Sequence, residues 1–284
     1  MHKIGSSERP DLPLAVVVGA GGMGMAVARR LGQSHRLLLV DRDQAALDRH
    51  NAALLGDGFD VQGACCDVTN AGDVAAMIAR SVELGPIRVV ANVVGLSPSM
   101  GDFRALIAVN LVGATRIAQG FLPHLAAGAC GIFIASVAAH MSELSPKVLA
   151  VIDDALSPDF IDRLEAALDE PANSHLAYQI SKVALRRMCR QEAAAWGRRG
   201  ARIISLSPGL IATPMGALEF ERTPMKHDLL AATPLAREGT MLEIADVVEF
   251  LASARASFIS GTDILVDGGL VAAVQAGAKA AAAG

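Results

Sequence analysis

Three valines, Val16 to Val18, run directly into Gly19-Ala20-Gly21-Gly22-Met23-Gly24, and an apolar helical pattern follows to Leu31. No other feature narrows the fold as much. Consecutive β-branched residues suit a buried strand, and the glycines let the backbone turn at once into a helix. Such a turn gathers free backbone N–H groups and the positive end of a helix at one point, a cradle for phosphate. Leu12 to Ala28 carries no charge and follows Lys3 and Arg9, as in a signal peptide, but four glycines interrupt it. Strand, turn and helix describe it better.

The alternation of short apolar runs with helical patterns continues along the chain. Strands are expected near Leu14–Val18, Arg36–Val40, Asp60–Cys65, Ile87–Asn92, Gly131–Ala135, Arg202–Leu206 and Asp263–Val266. Helices are expected near Gly22–Leu31, Gln44–Leu54, Ala71–Leu84, Asp102–Leu125, His175–Gly197 and Leu242–Ser253. This order predicts a single-domain α/β Rossmann fold over residues 1–284: a doubly wound seven-stranded parallel sheet with helices on both faces. Residues 1–12 and 275–284 are expected to be flexible tails. A hydrophobic content of 52% supplies the covered sheet. Net charge of −4 with no basic run argues against nucleic acid. The 17-residue apolar run is short for a membrane span. Four cysteines without a Cys-x-x-Cys pair suit reduced thiols, hence a cytoplasmic setting.

Asp41 ends the second strand, 17 residues beyond Gly24, where a carboxylate can accept hydrogen bonds from adenosine ribose hydroxyls. It would repel a 2′-phosphate, so NAD is preferred; Arg42 beside it keeps NADP possible. Asp67, followed by Val68, ends the third strand and either bonds the adenine or serves as a turn residue. Tyr178 is the only tyrosine, and Lys182 follows it by one helical turn. A cation at i+4 favours the phenolate and lowers a pKa that starts near ~10.

Taken in this order, these motifs make the chain resemble the short-chain dehydrogenase/reductase family over roughly residues 13–270. Further segments match it. Asn92-Val93-Val94-Gly95 stands where the family usually has Asn-Asn-Ala-Gly, and Asn110 matches its helix asparagine. Ser136 occupies the catalytic-serine position, and Ser207-Pro208-Gly209, Ile211 and Thr213 the nicotinamide segment. The resemblance implies that Tyr178 exchanges a proton with the substrate oxygen while Ser136 holds that oxygen. It also implies that Lys182 lowers the phenol's pKa and grips the nicotinamide ribose, and that Asn110 keeps a relay water. The implied cofactor site comprises Gly19, Gly21, Gly22, Met23, Gly24, Asp41, Arg42, Asp67, Val68, Asn92, Gly95, Tyr178, Lys182, Pro208, Gly209, Ile211 and Thr213.

The chain departs from the family at Val18, at Val93, in a glycine spacing one residue shorter than usual, and most of all before the tyrosine. Ser136 and Tyr178 stand 42 positions apart, far more than the family's usual separation. The insertion, about residues 142–173, is similar to one in a bacterial hydroxysteroid dehydrogenase/carbonyl reductase branch. Ser145-Pro146 and Ser157-Pro158 each read as an N-cap with proline at the first helical position. Phe160, Ile161, Leu164, Ala167 and Leu168 form an apolar stripe, so a helical hairpin is expected from about Pro146 to Asp169. Between Glu143 and Glu170 lie eight acidic and two basic residues. Either that acidic face is solvated, or the hairpin covers a surface on which chains would pair as a homodimer or homotetramer.

Thr213 to Leu230 is expected to form a lid, with Met215, Leu218, Phe220, Met225, Leu229 and Leu230 lining an adaptable pocket. Ser97, Met100 and Met141 face it from the other side. No arginine is placed to clamp an anion, so the expected substrate is a hydrophobic alcohol or ketone. The seven histidines show no metal-ligand spacing; His140 either faces the cleft or, as for all seven, takes a surface or packing role, which is the expected reading. Two rival readings are a non-catalytic NAD-binding regulator and an epimerase or dehydratase on the same fold.

Overall fold

The computed structural model of the chain describes residues 12–213, 216 and 225–283. Its strands are β1 (Leu14–Val18), β2 (Arg36–Asp41), β3 (Val61–Cys65), β4 (Ile87–Asn92), β5 (Leu125–Ile134), β6 (Arg202–Pro208), β7 (Ile211–Ala212), β8 (Gly239–Thr240) and β9 (Asp263–Val266). Seven of them form one sheet in the order β3-β2-β1-β4-β5-β6-β9, every pairing parallel. Strands β7 and β8 pair separately. Helices α1 (Gly22–Leu31), α2 (Gln44–Gly56), α3 (Ala71–Leu84), α4 (Phe103–Ile107), α5 (Ala114–Phe121), α6 (Ala138–Met141), α7 (Pro146–Val151), α8 (Phe160–Ala166) and α9 (Ser174–Arg198) precede β6. Helices Met225–Ala232, Met241–Ala252 and Leu270–Ala283 follow it.

The pleat of β1 divides the core in two. Leu14, Val16 and Val18 join Met77, Ile117, Phe121, Leu185 and Trp196 on the α3/α5/α9 face. Ala15 and Val17 join Val27, Leu31, Leu47, Ile244 and Val248 on the opposite face. A strand buried on both sides has no polar alternation, which is why this one reads as a plain apolar run. The sheet order reverses between β1 and β4, and the crevice at the strand ends there is where such folds hold ligands.

Three local expectations are corrected. The helix predicted over Asp102–Leu125 is broken by a π-helical turn, Ala108–Gly113. Its 22-residue stretch Phe103–His124 is apolar enough to cross a membrane, yet 67% of the 18-residue window that meets this test is buried within the fold. Packing accounts for the apolarity. The tail expected after Val274 is helical to Ala283, because a run of alanines has the highest intrinsic helix propensity. Ser157 does not cap α8: Asp159 holds the N-cap position, and the Ser157 hydroxyl accepts from Arg163. Ser145 does cap α7, accepting from the Val148 N–H at 3.4 Å.

The insertion is therefore two short helices within the expected hairpin, the second starting at Phe160. Its stripe, including Phe160 and Leu164, is buried against Phe103, Leu106, Ile107, Ala177 and Ile180 of α4 and α9. Its acids do not merely face solvent. Arg104 on α4 pairs with Asp162 and Glu165, and Arg187 on α9 pairs with Asp153. Exposed pairs of this kind stabilise little, so the buried stripe holds the insertion in place.

Candidate active site

At the crevice the glycine turn shows why its residue types are required. Gly19 has φ +98°, and a Cβ there would lie 2.7 Å from the Val94 nitrogen. A Cβ on Gly24 would overlap the Gly19 carbonyl oxygen. Gly21 differs: nothing lies within 4 Å of the position its Cβ would take. It is the N-cap of α1, has no side-chain cap, and no acid follows in the first turn. An uncapped helix start facing open space leaves N–H groups and partial positive charge available to an anion. The residues present thus fit a dinucleotide pyrophosphate.

Asp41 organises the same turn. Its carboxylate accepts from the Ala20 N–H at 2.8 Å and from the Asp43 N–H at 3.1 Å. Asp67 accepts twice from Thr69, through its N–H at 2.9 Å and its hydroxyl at 2.7 Å. Those hydrogen bonds hold its carboxyl below the usual aspartate range. The turn role weighed for Asp67 is therefore real, although the N-cap of α3 is Asn70.

The Asn173 side chain caps α9 by accepting from the Leu176 N–H at 2.9 Å. Tyr178 and Lys182 follow on its first turns, and Ala177, Ile180 and Ala184 bury the opposite side. Lys182 is 5% exposed. Its ammonium donates to the Ile134 carbonyl at 3.0 Å and stands 5.5 Å from the Tyr178 ring centre. Burial pushes its pKa down to about 8. Ser136 lies just past the end of β5, its Oγ accepting from the Ala138 N–H at 3.2 Å.

One cleft of about 840 Å³ joins these parts. Gly19, Gly21, Gly22, Met23, Gly24, Asp41, Arg42, Asp67, Val68, Gly95, Ser136, Tyr178, Lys182, Pro208, Gly209, Ile211 and Thr213 all line it. Ser97, Met100, Met141 and Leu229 line it too, as expected, whereas Leu230 does not. Met215, Leu218 and Phe220, and the Met225 side chain, lie outside the described residues, as does most of the expected lid.

Two placements differ from expectation, those of Asn92 and Asn110. Asn92, 2% exposed, ends β4 behind the wall, and its Oδ1 has no hydrogen-bond partner among the described residues. A residue that continues a central strand points into the fold as readily as into the cleft. Asn110, also 2% exposed, sits in the π-helical turn and grips Leu96: its Oδ1 accepts from that N–H at 2.7 Å and its Nδ2 donates to the carbonyl at 3.0 Å. It shapes the loop beside Lys182 from behind, since a Cβ on Gly95 would lie 3.4 Å from Asn110 Oδ1 and 3.5 Å from Lys182 Nζ. His140 takes the packing role, facing away from the cleft toward Asp263 at 2.7 Å.

His175, Gln179, Ser142 and Lys226 line the cleft and were not anticipated. For the first two a signal existed. His175, Tyr178, Gln179 and Lys182 recur at helical spacing and so share one face of α9.

The family profile described as short chain dehydrogenase matches residues 13–147. One described as Enoyl-(Acyl carrier protein) reductase matches residues 166–271. The stretch between them falls within the insertion. The short-chain dehydrogenase/reductase bsc3 of Alternaria brassicicola is 33% identical over 260 residues, covering 90% of this chain and 95% of its own. Galactitol 2-dehydrogenase (L-tagatose-forming) of Cereibacter sphaeroides is 32% identical over 270 residues, covering 92% and 96%. Among solved structures, a tryptophan variant of actinorhodin polyketide ketoreductase with NADPH superposes with TM-score 0.74 at 22% identity, covering 92% and 98%. A short-chain dehydrogenase/reductase of Serratia marcescens gives 0.73 at 20%, with the same coverage. At such identities the superpositions establish the fold alone.

Proposed function

Starting from the fact that this chain belongs to the short-chain dehydrogenase/reductase family, and is thus an oxidoreductase, we propose that it interconverts a hydrophobic alcohol and its ketone with NAD. The observation that carries this is that one cleft has the glycine turn at one end and Ser136, Tyr178 and Lys182 at the other. When bound, a nicotinamide cofactor supplies or takes the hydride; it would be held by the glycine turn, Asp41, Lys182 and the Pro208–Thr213 segment.

The chain's own groups handle the oxygen and its proton. The Tyr178 hydroxyl donates to the carbonyl oxygen as negative charge develops there, and the phenolate takes the proton back in the oxidative direction. The neighbouring buried ammonium of Lys182 favours that phenolate. Ser136 donates a hydrogen bond to the same oxygen and fixes its place. Leu96, Met100, Val137, Met141 and Leu229 give the substrate end an apolar lining. Asp41 supports NAD, because its carboxylate already sits on the turn where a 2′-phosphate would meet like charge.

The test is to follow NADH and NADPH absorbance separately over cyclic and aliphatic ketones, polyols, hydroxy acids and sugar nucleotides. Turnover of apolar ketones with NADH is the expected result. Tight NADH binding with no turnover, or sugar-nucleotide conversion without net NADH change, would replace this reading with a regulator or an epimerase.

A further inference from the structure

Ser136 sits where the sheet gives way to a helix too short to hold itself. Beyond β5, the Ala135 N–H bonds the Leu206 carbonyl at 2.7 Å and the Val137 N–H bonds that of Pro208 at 3.0 Å. The chain then enters α6, four residues that begin two positions after the serine. A helix of one turn carries the full cost of nucleation and gains almost nothing from propagation. Its position must come from what it touches.

What it touches is a polar cluster behind the cleft wall. His140 on α6 and Asp263 on β9 meet at 2.7 Å through Nε2 and Oδ2. The other oxygen of that carboxylate accepts from Ser205 Oγ at 2.5 Å and Ser207 Oγ at 3.0 Å, both on β6. Arg186 on α9 donates to the Ala139 carbonyl at 2.5 Å, and its Nε lies 3.6 Å from Asp263 Oδ2. The Asp263 side chain is 8% exposed and both serines are fully buried. An ionised carboxylate only accepts, so the proton on His140 Nε2 points at Asp263.

The arrangement brackets the serine from one helix. Lys182 holds the Ile134 carbonyl before Ser136, and Arg186, one turn further along α9, holds the Ala139 carbonyl after it. Neither His140, Arg186 nor Asp263 lines the cleft. We infer that His140, Asp263 and Arg186 are positioning residues that aim the Ser136 hydroxyl at the substrate oxygen, locking α6 to the last strand and to the helix bearing Tyr178. This rests on the role given to Ser136 above, and it assigns to three residues outside the cleft a share in the reaction.

The experiment compares His140→Ala, His140→Gln, Asp263→Asn and Ser136→Ala, and the double variant His140→Ala/Ser136→Ala, by kcat, KM, NADH affinity from fluorescence titration, and Tm. Misplacing a reacting group by a fraction of an ångström is costly, so His140→Ala is expected to lower kcat about tenfold while NADH affinity stays within about twofold. Asp263→Asn, which replaces the charged acceptor with an amide and so weakens the same contact from the strand side, should lower kcat in the same direction even if the alanine variant folds poorly. Glutamine, whose amide nitrogen can still donate to Asp263, should restore most of the loss. In the Ser136→Ala background His140→Ala should cost less than about twofold, since no hydroxyl remains to be aimed. An undiminished loss in that background, or full kcat in either single variant at the His140–Asp263 contact, overturns the inference. Full kcat in Ser136→Ala alone would instead remove the serine's catalytic role, a failure of the underlying reading and separable from the first.

Discussion

The ammonium of Lys182 stands 5.5 Å from the centre of the Tyr178 ring and is anchored to the Ile134 carbonyl at 3.0 Å. One buried charge thereby touches both the helix that carries the phenol and the strand that delivers Ser136. No carboxylate among the described residues offsets it, and burial brings its pKa down to about 8.

A pH dependence follows with a definite sign. Below about pH 8 the ammonium is present and makes the phenol a better acid; above it the charge is lost. For ketone reduction kcat/KM is therefore expected to fall as pH rises through about 8. In Lys182→Arg, whose guanidinium stays charged, that limb should move upward. Stability responds oppositely. Between about 8 and the unfolded value near ~10.4 the unfolded chain binds the extra proton, so this group's contribution to stability rises with pH across that window. Chemical denaturation of the parent and Lys182→Met at several pH values would show the difference.

Gly21 and Gly24 separate cofactor binding from folding. Gly24→Ala drives a methyl into the Gly19 carbonyl and should disrupt the turn and lower Tm. Gly21→Ala meets nothing among the described residues, so Tm should hold. Its methyl fills the space a pyrophosphate needs, and NADH affinity is expected to drop about tenfold or more, an overpacking cost of 1–3 kcal/mol.

The strand, turn and helix at Val16–Leu31 were legible because β-branching, glycine and helical spacing all agree there. The face shared by Tyr178 and Lys182 was legible for the same reason, two residues one turn apart. Asn92 and Asn110 show where such reading stops. A sequence places a residue at a strand end or on a helix, but whether it faces the cleft or the wall behind depends on local twist and on a π-helical turn set by packing. His140 and Asp263 are 123 positions apart, and only the parallel crossover to β9 brings them together. No local pattern announces such a pair.

Asp41 is expected to set the nucleotide preference. Asp41→Asn removes a charge that hydrogen-bonds the glycine turn and would face a 2′-phosphate. It should lower kcat/KM with NADH about tenfold, the scale of a charged hydrogen bond, and narrow the preference over NADPH. An unchanged NADH/NADPH ratio counts against that role.

The insertion is expected to be part of the core rather than an appendage. Phe160 is 1% exposed, and Phe160→Ala should destabilise the chain by about 3–5 kcal/mol in urea denaturation. Because α7 and α8 cover the outer faces of α4 and α9, any homo-oligomer is expected to form without those faces. Cross-linking between cysteines introduced at Leu106 and Ile180 in separate copies would contradict this.

The central claim is that Tyr178 moves the proton, and the most direct measurement is kcat for Tyr178→Phe on the best ketone, with NADH affinity measured alongside. Loss of positioned acid–base catalysis predicts a fall of about 10²–10⁴-fold with affinity nearly unchanged. A phenylalanine variant with the parent's kcat would contradict the account.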